Sequence, residues 1–390
     1  MRAVILAGGR GTRLHPLTTN IPKPMVPLFD KPVMEHAILL LKRHGFRDIT
    51  VTVGYRAAQI MEYFGNGERL GVRLSYYVEE SPRGTAGGFK DFASQLDSTF
   101  LVISGDAVTD FNLSSTLDFH KKKKAQATLC TYDVADPSEF GLVQTAEDGE
   151  ILRFIEKPTP GEIFGRTVNT GIYVLEPSVL NLIPENAVFD FSRDLFPQIL
   201  RVPKALFAKR MSGYWCDVGN LAQYRDSHFA ALTKLLDITL PAKRAHPGVW
   251  VGEGCRIDPS AHICGPVFIG DRAVVEEGAF LGGFTVVGAG AQVGAGARIA
   301  QSVVGAGAAV SADAAVFGSV IAEGAAIDGS DRLANRIMAL EGEHRDIQPL
   351  VDTWHLQEPS VENHNHLWSN LEESPAPRLT RPLNAPATAA

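Results

Sequence analysis

The chain of 390 residues predicts two architectures in series, an α/β domain on a mostly parallel sheet followed by a parallel β-helix. Three observations carry this. Up to about residue 235, short runs rich in β-branched residues alternate with helical patterns. From about residue 249, aliphatic residues recur at every sixth position. No apolar run approaches the roughly 20 residues of a membrane span.

In the first region, Arg2–Ala7 reads as a short apolar strand. Pro32 opens a helix through Met34, Ile38 and Leu41, and Gly45 stops it, with proline at the start and glycine past the end. Ile49–Val53, Val72–Val78 and Phe100–Ser104 are further strands, the last running into Gly105-Asp106. Strands separated by helices imply a largely parallel sheet covered on both faces. Ligands on such sheets bind at the carboxyl ends of the strands, which places the chemistry in loops such as those after Ala7 and Ser104.

In the second region, Val251, Ile257, Ile263, Ile269, Val275, Leu281, Val287, Val293 and Ile299 stand six apart. Four positions after each comes a small or short residue, such as Cys255, Ala261, Ala273 and Ala297. The phase slips by one and resumes at Val304, Val310, Val316, Ile321 and Ile327. One inward aliphatic per six residues marks a parallel β-helix whose coils have three short faces, whereas a Gly/Ala linker has no reason to keep such a period. The domains are therefore expected at 1–235, 236–330 and 331–390. In the last, Leu333, Ile337 and Leu340 suit a short amphipathic helix capping the coils. The segment holding Pro375, Pro377, Pro382 and Pro386 reads as a disordered tail. His364 and His366 within it are assigned no site.

Composition excludes several functions. The 37 basic residues against 44 acidic leave a net charge of −7, contrary to the clustered positive charge of a nucleic-acid partner. The Lys121–Lys124 run reads as a solvated helix end. Cys130, Cys216, Cys255 and Cys264 are widely spaced with no CxxC pair, as expected of reduced thiols in a cytoplasmic protein. The Val4–Ala7 run is too short for a signal-peptide core.

The strongest motif is Leu6-Ala7-Gly8-Gly9-Arg10-Gly11-Thr12-Arg13, followed by Pro22-Lys23-Pro24. A strand feeding into three glycines lets backbone N–H groups approach a polyphosphate. Arg13 offers a delocalised fork to phosphate oxygens and Lys23 a compact charge. No GK[ST] closes the loop and no G-x-G-x-x-G spacing is present, so neither the P-loop nor the dinucleotide fingerprint applies. The string Leu6–Pro24 instead resembles the signature of the sugar-1-phosphate nucleotidyltransferases, or NDP-sugar pyrophosphorylases.

The resemblance continues along the chain. Glu79-Glu80-Ser81-Pro82-Arg83-Gly84-Thr85-Ala86-Gly87 is similar to the family's base-binding loop, and Ser104-Gly105-Asp106 to its metal-binding strand end. Phe154-Ile155-Glu156-Lys157-Pro158 resembles its sugar-phosphate motif, Asn169-Thr170-Gly171 a sugar-contacting strand, and Trp215-Cys216-Asp217-Val218-Gly219 the second metal carboxylate. The nearest likeness is to the mannose-1-phosphate guanylyltransferase branch. It implies a Rossmann-like catalytic domain, a left-handed β-helix of hexapeptide repeats, a Mg²⁺ ion, and a nucleoside triphosphate and a sugar-1-phosphate as substrates. The likeness extends to bacterial chains in which these two domains precede a phosphomannomutase-like domain, but mutase activity is not among what the resemblance implies here.

Implied catalytic residues are Arg13, Lys23, Asp106 and Asp217, the two aspartates holding the metal. Nucleotide contacts fall on Leu6, Ala7, Gly8, Gly9, Gly11, Thr12, Glu79, Gly84 and Thr85. Sugar-phosphate contacts fall on Gly141, Glu156, Lys157, Asn169 and Thr170. Physically, two carboxylates on separate strand ends suit Mg²⁺, although a lone Gly-Asp is more often a turn. Glu156 can accept hydrogen bonds from sugar hydroxyls and Lys157 can hold the phosphate; alternatively they are a surface ion pair.

Glu79 stands five residues before Gly84, where uracil- and thymine-using relatives carry glutamine. A carboxylate only accepts, and guanine offers adjacent donors at N1 and N2, so GTP is favoured; alternatively Glu79 faces solvent. Gly88 stands where alanine or serine is commoner. The implied product is GDP-mannose, with glucose-1-phosphate thymidylyl, uridylyl or adenylyl transfer as the alternative. A second alternative is a non-catalytic nucleotide-sugar-sensing subunit, whose mark would be loss of a phosphate-binding base or a metal carboxylate; none is lost here. Acyl transfer on the coils would need a base, and His262 is the one histidine within the repeats. The coils are expected to serve homo-oligomer assembly.

Overall fold

The computed structural model describes residues 1–341 and 344–350. The proline-rich segment and His364 and His366 lie outside the described residues. The chain divides into two compact units. One comprises Met1–Gly11, Asn20–Val26 and Pro32–Asp217; the other comprises Thr12–Thr19, Pro27–Lys31 and the chain from Val218 onward.

The first unit is built on a nine-stranded sheet. Its strands are β1 (Arg2–Ala7), β2 (Asp48–Val53), β3 (Arg73–Val78), β4 (Phe100–Ser104), β5 (Ala127–Asp133), β6 (Gly141–Thr145), β7 (Ile151–Glu156), β8 (Thr167–Leu175) and β9 (Leu206–Arg210). The main path runs β7-β6-β8-β4-β1-β2-β3, with β5 pairing β8 and β9. Strands β3, β2, β1 and β4 are mutually parallel, as helix-separated strands require. From β4 onward the sheet extends antiparallel through β8 to β5 and β6.

Alternation along β1 feeds two cores. Ala3, Ile5 and Ala7 pack with Met34, Ile38 and Leu41 of helix α1 (Val33–Arg43). Val4, with Val102 of β4, packs on the other side with Phe89, Phe92, Phe191 and Phe196. Pro32 precedes α1, and Gly45 beyond its end has φ of +83°, a left-handed conformation that glycine adopts without strain.

In the second unit, successive coils lay three parallel sheets along the chain. The six-residue aliphatics form its buried core, from Ile263 and Ile269 to Ile321 and Ile327. Val251 pairs with Ile269 and Ile269 with Val287, which is 18 residues per coil; Val287 then pairs with Val304 and Val304 with Ile321, at 17. The phase slip is thus one residue removed from a corner. Buried Ser302 and Ser319 occupy the shortened corners. The Ser302 hydroxyl donates to the Ala300 carbonyl (2.7 Å) and accepts from the Ser319 N–H (3.1 Å); the Ser319 hydroxyl likewise accepts from the Arg336 N–H (3.1 Å). The loop Pro27–Lys31 belongs to this unit: Phe29 stacks edge-on against Phe268 (5.0 Å), and the Asp30 carboxylate accepts the Ala289 N–H.

The expected capping helix over Leu333–Leu340 is corrected. Arg332–Ala334 is a strand that continues one face, pairing with Ala315–Phe317, and Arg336–Glu341 forms an antiparallel hairpin with His344–Pro349. Leu333 and Ile337 do have helical spacing, but Val320–Ile321 of the last full coil presents an open edge. Ile337 and Met338 satisfy it in parallel register, and a helix would leave those groups unpaired.

Candidate active site

Four parallel strands end together, and their following loops enclose a cavity of about 320 Å³ lined by Leu6, Gly8, Gly9, Thr52, Glu79, Pro82, Gly84, Thr85, Phe89, Ser104 and Asp106. The loop starts are tied to neighbouring strand ends: the Gly105 N–H donates to the Leu6 carbonyl (2.8 Å) and the Glu79 N–H to the Val53 carbonyl (2.8 Å). Gly8 and Gly9 leave the backbone bare toward the cavity, and nothing lies within 4 Å of where a Gly9 Cβ would stand. Ala7 is the buried end of β1, and Gly11 turns the chain with φ of +72°.

The charged end of the cavity is organised by one ammonium. The Nζ of Lys23, a buried residue, lies 2.8 Å from Asp106 Oδ2 and donates to the Asp217 carbonyl oxygen (2.8 Å). The other Asp106 oxygen accepts the Ser104 hydroxyl (2.6 Å). A two-stranded ribbon explains the meeting of residues 111 apart: Trp215 pairs with Thr109 and Cys216 with Val108, which carries Asp217 toward Asp106. Lys23 thus binds the Asp106 carboxylate and the main-chain carbonyl of Asp217, and so brings together the two residues expected to share a metal. Thr12 and Arg13 lie on the turn Thr12–Leu14, in the second unit.

The loop Glu79–Gly87, expected to bind the base, is clamped by a segment about 100 residues downstream. The Ala86 and Gly87 N–H groups both donate to the Phe189 carbonyl (2.9 Å each), and the Phe189 N–H donates to the Arg83 carbonyl (2.9 Å). The Thr85 hydroxyl donates to Asp190 (2.9 Å) and accepts the Phe191 N–H (3.0 Å). Gly84 has φ of +76°, and a Cβ there would stand 2.7 Å from the Phe189 carbonyl oxygen. Glu79 lines the cavity half-buried, and burial holds its carboxyl above the ordinary glutamate value, with Arg83 opposing and Asp91 adding.

The residues expected to hold the sugar phosphate cluster on β6, β7 and β8. Glu156 is the cross-strand partner of Gly141, and a Gly141 Cβ would stand 2.6 Å from Glu156 Oε2. Burial raises the Glu156 carboxyl, against hydrogen bonding from Ser192 and the charges of Lys157 and Arg193. Asn169 donates to the Tyr173 hydroxyl (3.0 Å) and to Ser192 Oγ (3.2 Å). Lys157 is exposed at the end of β7, 3.6 Å from Glu139. Thr170 is placed differently from expectation: its buried hydroxyl donates to the Cys130 carbonyl (2.9 Å), and its own carbonyl accepts the Trp215 indole N–H (3.1 Å). It braces the ribbon that carries Asp217.

Thr52 and Phe89 line the cavity, and Asp190 and Ser192 support both halves; none is singled out by sequence reasoning. Pro82 and Ser104, which also line it, stand within the motifs that sequence reasoning marks but are given no role by it. Asp190 and Ser192 carry no local signal, because their roles arise from contacts with Thr85 and Asn169.

A cavity at the ends of parallel strands, with bare glycines, an apolar floor and a lysine paired with an aspartate, defines a nucleotide-handling α/β domain. Comparison with known proteins agrees. Residues 2–234 match the family model described as Nucleotidyl transferase, and residues 263–361 match that of the GMPPB C-terminal domain. The chain is 36% identical over 319 residues to a UTP–glucose-1-phosphate uridylyltransferase of Synechocystis, covering 78% of this chain and 82% of the relative. It is 34% identical over 308 residues to a mannose-1-phosphate guanylyltransferase of Mycobacterium tuberculosis, covering 77% and 79%. A solved structure described as a glucose-1-phosphate thymidylyltransferase from Bacillus anthracis, in complex with a sucrose, superposes with a TM-score of 0.54 at 25% identity, over 61% of this chain and 96% of that one. The protein belongs to the nucleotidyl transferase family.

Proposed function

We propose that the protein joins a nucleoside triphosphate to a sugar-1-phosphate, with GTP and mannose-1-phosphate as the preferred pair and GDP-mannose and pyrophosphate as products. The observation that carries this is the Lys23 ammonium held against the Asp106 carboxylate and the Asp217 main-chain carbonyl at the charged end of the cavity. A sugar-1-phosphate oxygen attacks the α-phosphorus; the new P–O bond forms as the α–β bridging bond breaks, and its electron pair leaves on pyrophosphate. Bringing two polyanions together needs neutralisation and alignment, with no side-chain nucleophile.

Lys23 and the glycine-loop N–H groups neutralise the triphosphate, and Lys157 orients the attacking phosphate. Glu156 and Asn169 bind the sugar. Asp106 and Asp217 suit Mg²⁺, which characteristically takes one or two carboxylates and completes its shell with substrate phosphates. When bound, Mg²⁺ supplies further charge neutralisation on the phosphates.

Glu79 favours guanine. Uridylyl transfer to glucose-1-phosphate is the second reading, supported by the similar Synechocystis enzyme. The catalytic residues are assigned to a domain of residues 1–235. The protein is assigned to the cytoplasm as a homo-oligomer joined through its β-helix; light scattering reads a mass above the 42.1 kDa protomer if so. Pyrophosphate release measured with each triphosphate against a panel of sugar-1-phosphates tests the substrates. Highest kcat/KM is expected for GTP with mannose-1-phosphate, and a higher value for UTP or dTTP overturns the guanine assignment.

A further inference from the structure

The Glu79 carboxylate lies between two glycines. A Cβ on Gly8 would stand 3.6 Å from Oε2, an ordinary contact, but a Cβ on Gly88 would stand 2.7 Å from Oε1. The carboxylate therefore occupies the space that any side chain at position 88 would take. We propose that Gly88, by lacking a side chain, admits the Glu79 carboxylate to the cavity and so sets which base the cavity accepts.

The charges around Glu79 support this. Arg83, the nearest cation, is committed elsewhere: its guanidinium pairs with Asp91, and Asp91 also accepts the Tyr77 hydroxyl. Glu79 itself has no hydrogen-bond or ion-pair partner for its carboxylate among the described residues, although it lines the cavity half-buried. A carboxylate in that state gains most from a ligand edge with two adjacent N–H donors, which guanine presents and uracil, thymine and adenine do not. The inference rests on the proposed guanylyl transfer.

Adding a methyl group at 88 forces something to move. A Gly88 Cβ would also stand 3.0 Å from Tyr77 Cε1, but the Tyr77 ring is held by its bond to Asp91 and by packing on Phe92 (5.1 Å between centroids). Glu79 is the freer of the two, with unbonded oxygens at the end of a flexible chain, so its carboxylate gives way. Gly88 is thus a positioning residue acting through Glu79.

The test uses the full chain with Gly88→Ala, Glu79→Gln and the double variant. Gly88→Ala is expected to lower kcat/KM for GTP roughly tenfold or more while changing that for UTP by less than about threefold. In a double-mutant cycle it should add little once Glu79→Gln is present. Equilibrium titration with GTP and UTP, without sugar phosphate, should show the same shift in ratio. If Glu79→Gln shifts the GTP-to-UTP ratio and a folded Gly88→Ala does not, the Gly88 inference is overturned and the guanine reading stands. If the wild-type chain prefers UTP or dTTP, the guanine reading fails; the cycle run with the preferred nucleotide then decides Gly88 separately, additivity overturning it. Should Gly88→Ala not fold, Glu79→Ala/Gly88→Ala, which removes the clash, is expected to restore folding, and failure to do so also overturns the inference.

Discussion

The two units use glycine for opposite purposes. In the coiled unit, Gly252, Gly270, Gly288 and Gly305 repeat at one corner, where a Cβ would stand 2.5, 2.6, 2.6 and 2.7 Å from a backbone nitrogen of the next coil. In the α/β unit, Gly88 and Gly141 each face a glutamate carboxylate at 2.7 and 2.6 Å. Backbone cannot yield without unstacking a coil, whereas a carboxylate can rotate. The same substitution should therefore cost stability in one unit and recognition in the other.

The largest expected effect tests the charged end of the site, for which the coils have no counterpart. Asp106→Asn, Asp217→Asn or Lys23→Met should each lower kcat roughly hundredfold or more, the scale of losing a preorganised charge stabiliser. Steady-state kinetics at saturating Mg²⁺ checks this, and near-normal turnover by Asp217→Asn would remove it from the metal pair.

Next comes the glycine contrast itself. Gly288→Ala should destabilise the protein by about 1–3 kcal/mol, because overpacking against backbone outweighs the smaller gain usual for a Gly→Ala change. Its apparent Tm should fall by several degrees while kcat/KM below the transition stays unchanged. Gly141→Ala should do the reverse, raising KM for the sugar-1-phosphate by roughly tenfold through displacement of Glu156, with a smaller change in Tm. Equal Tm losses in the two variants would break the comparison.

A smaller effect follows from pH. Burial holds the Glu79 and Glu156 carboxyls above the ordinary value of 4.5, so the folded state takes up these protons more readily than the unfolded chain. The stability linked to both groups is complete below that value and is lost as pH rises through their folded pKa values. Recognition moves the other way: protonation turns one Glu79 oxygen into a donor, so the GTP-to-UTP ratio of kcat/KM should fall several-fold as pH is lowered through the titration of this carboxyl, which burial moves above the ordinary glutamate value. A ratio that stays constant down to the pH at which the protein unfolds would show that the Glu79 charge does not choose the base.

Local pattern determined much of this protein. The aliphatic period of six specified the coils because each inward position repeats the same packing problem, and Gly8-Gly9 after an apolar strand marked the cavity because parallel strands leave ligands only their carboxyl ends. The order of Glu79, Asp106, Glu156 and Asp217 was legible through motif resemblance. Tertiary structure decided the rest, where one local signal admitted two outcomes. Leu333, Ile337 and Leu340 carry a helical spacing, yet the open edge of the last coil pulled their segment into strands. Thr170 lies in a motif that resembles a sugar-contacting strand, yet its hydroxyl is bound to the Cys130 carbonyl. The compact units divide at Asp217 and assign Pro27–Lys31 to the coils, because Phe29 and Asp30 find partners more than 200 residues downstream. Sequence fixes which groups a segment offers; only the fold determines which of them meet, because each contact depends on what the rest of the chain leaves exposed or unpaired.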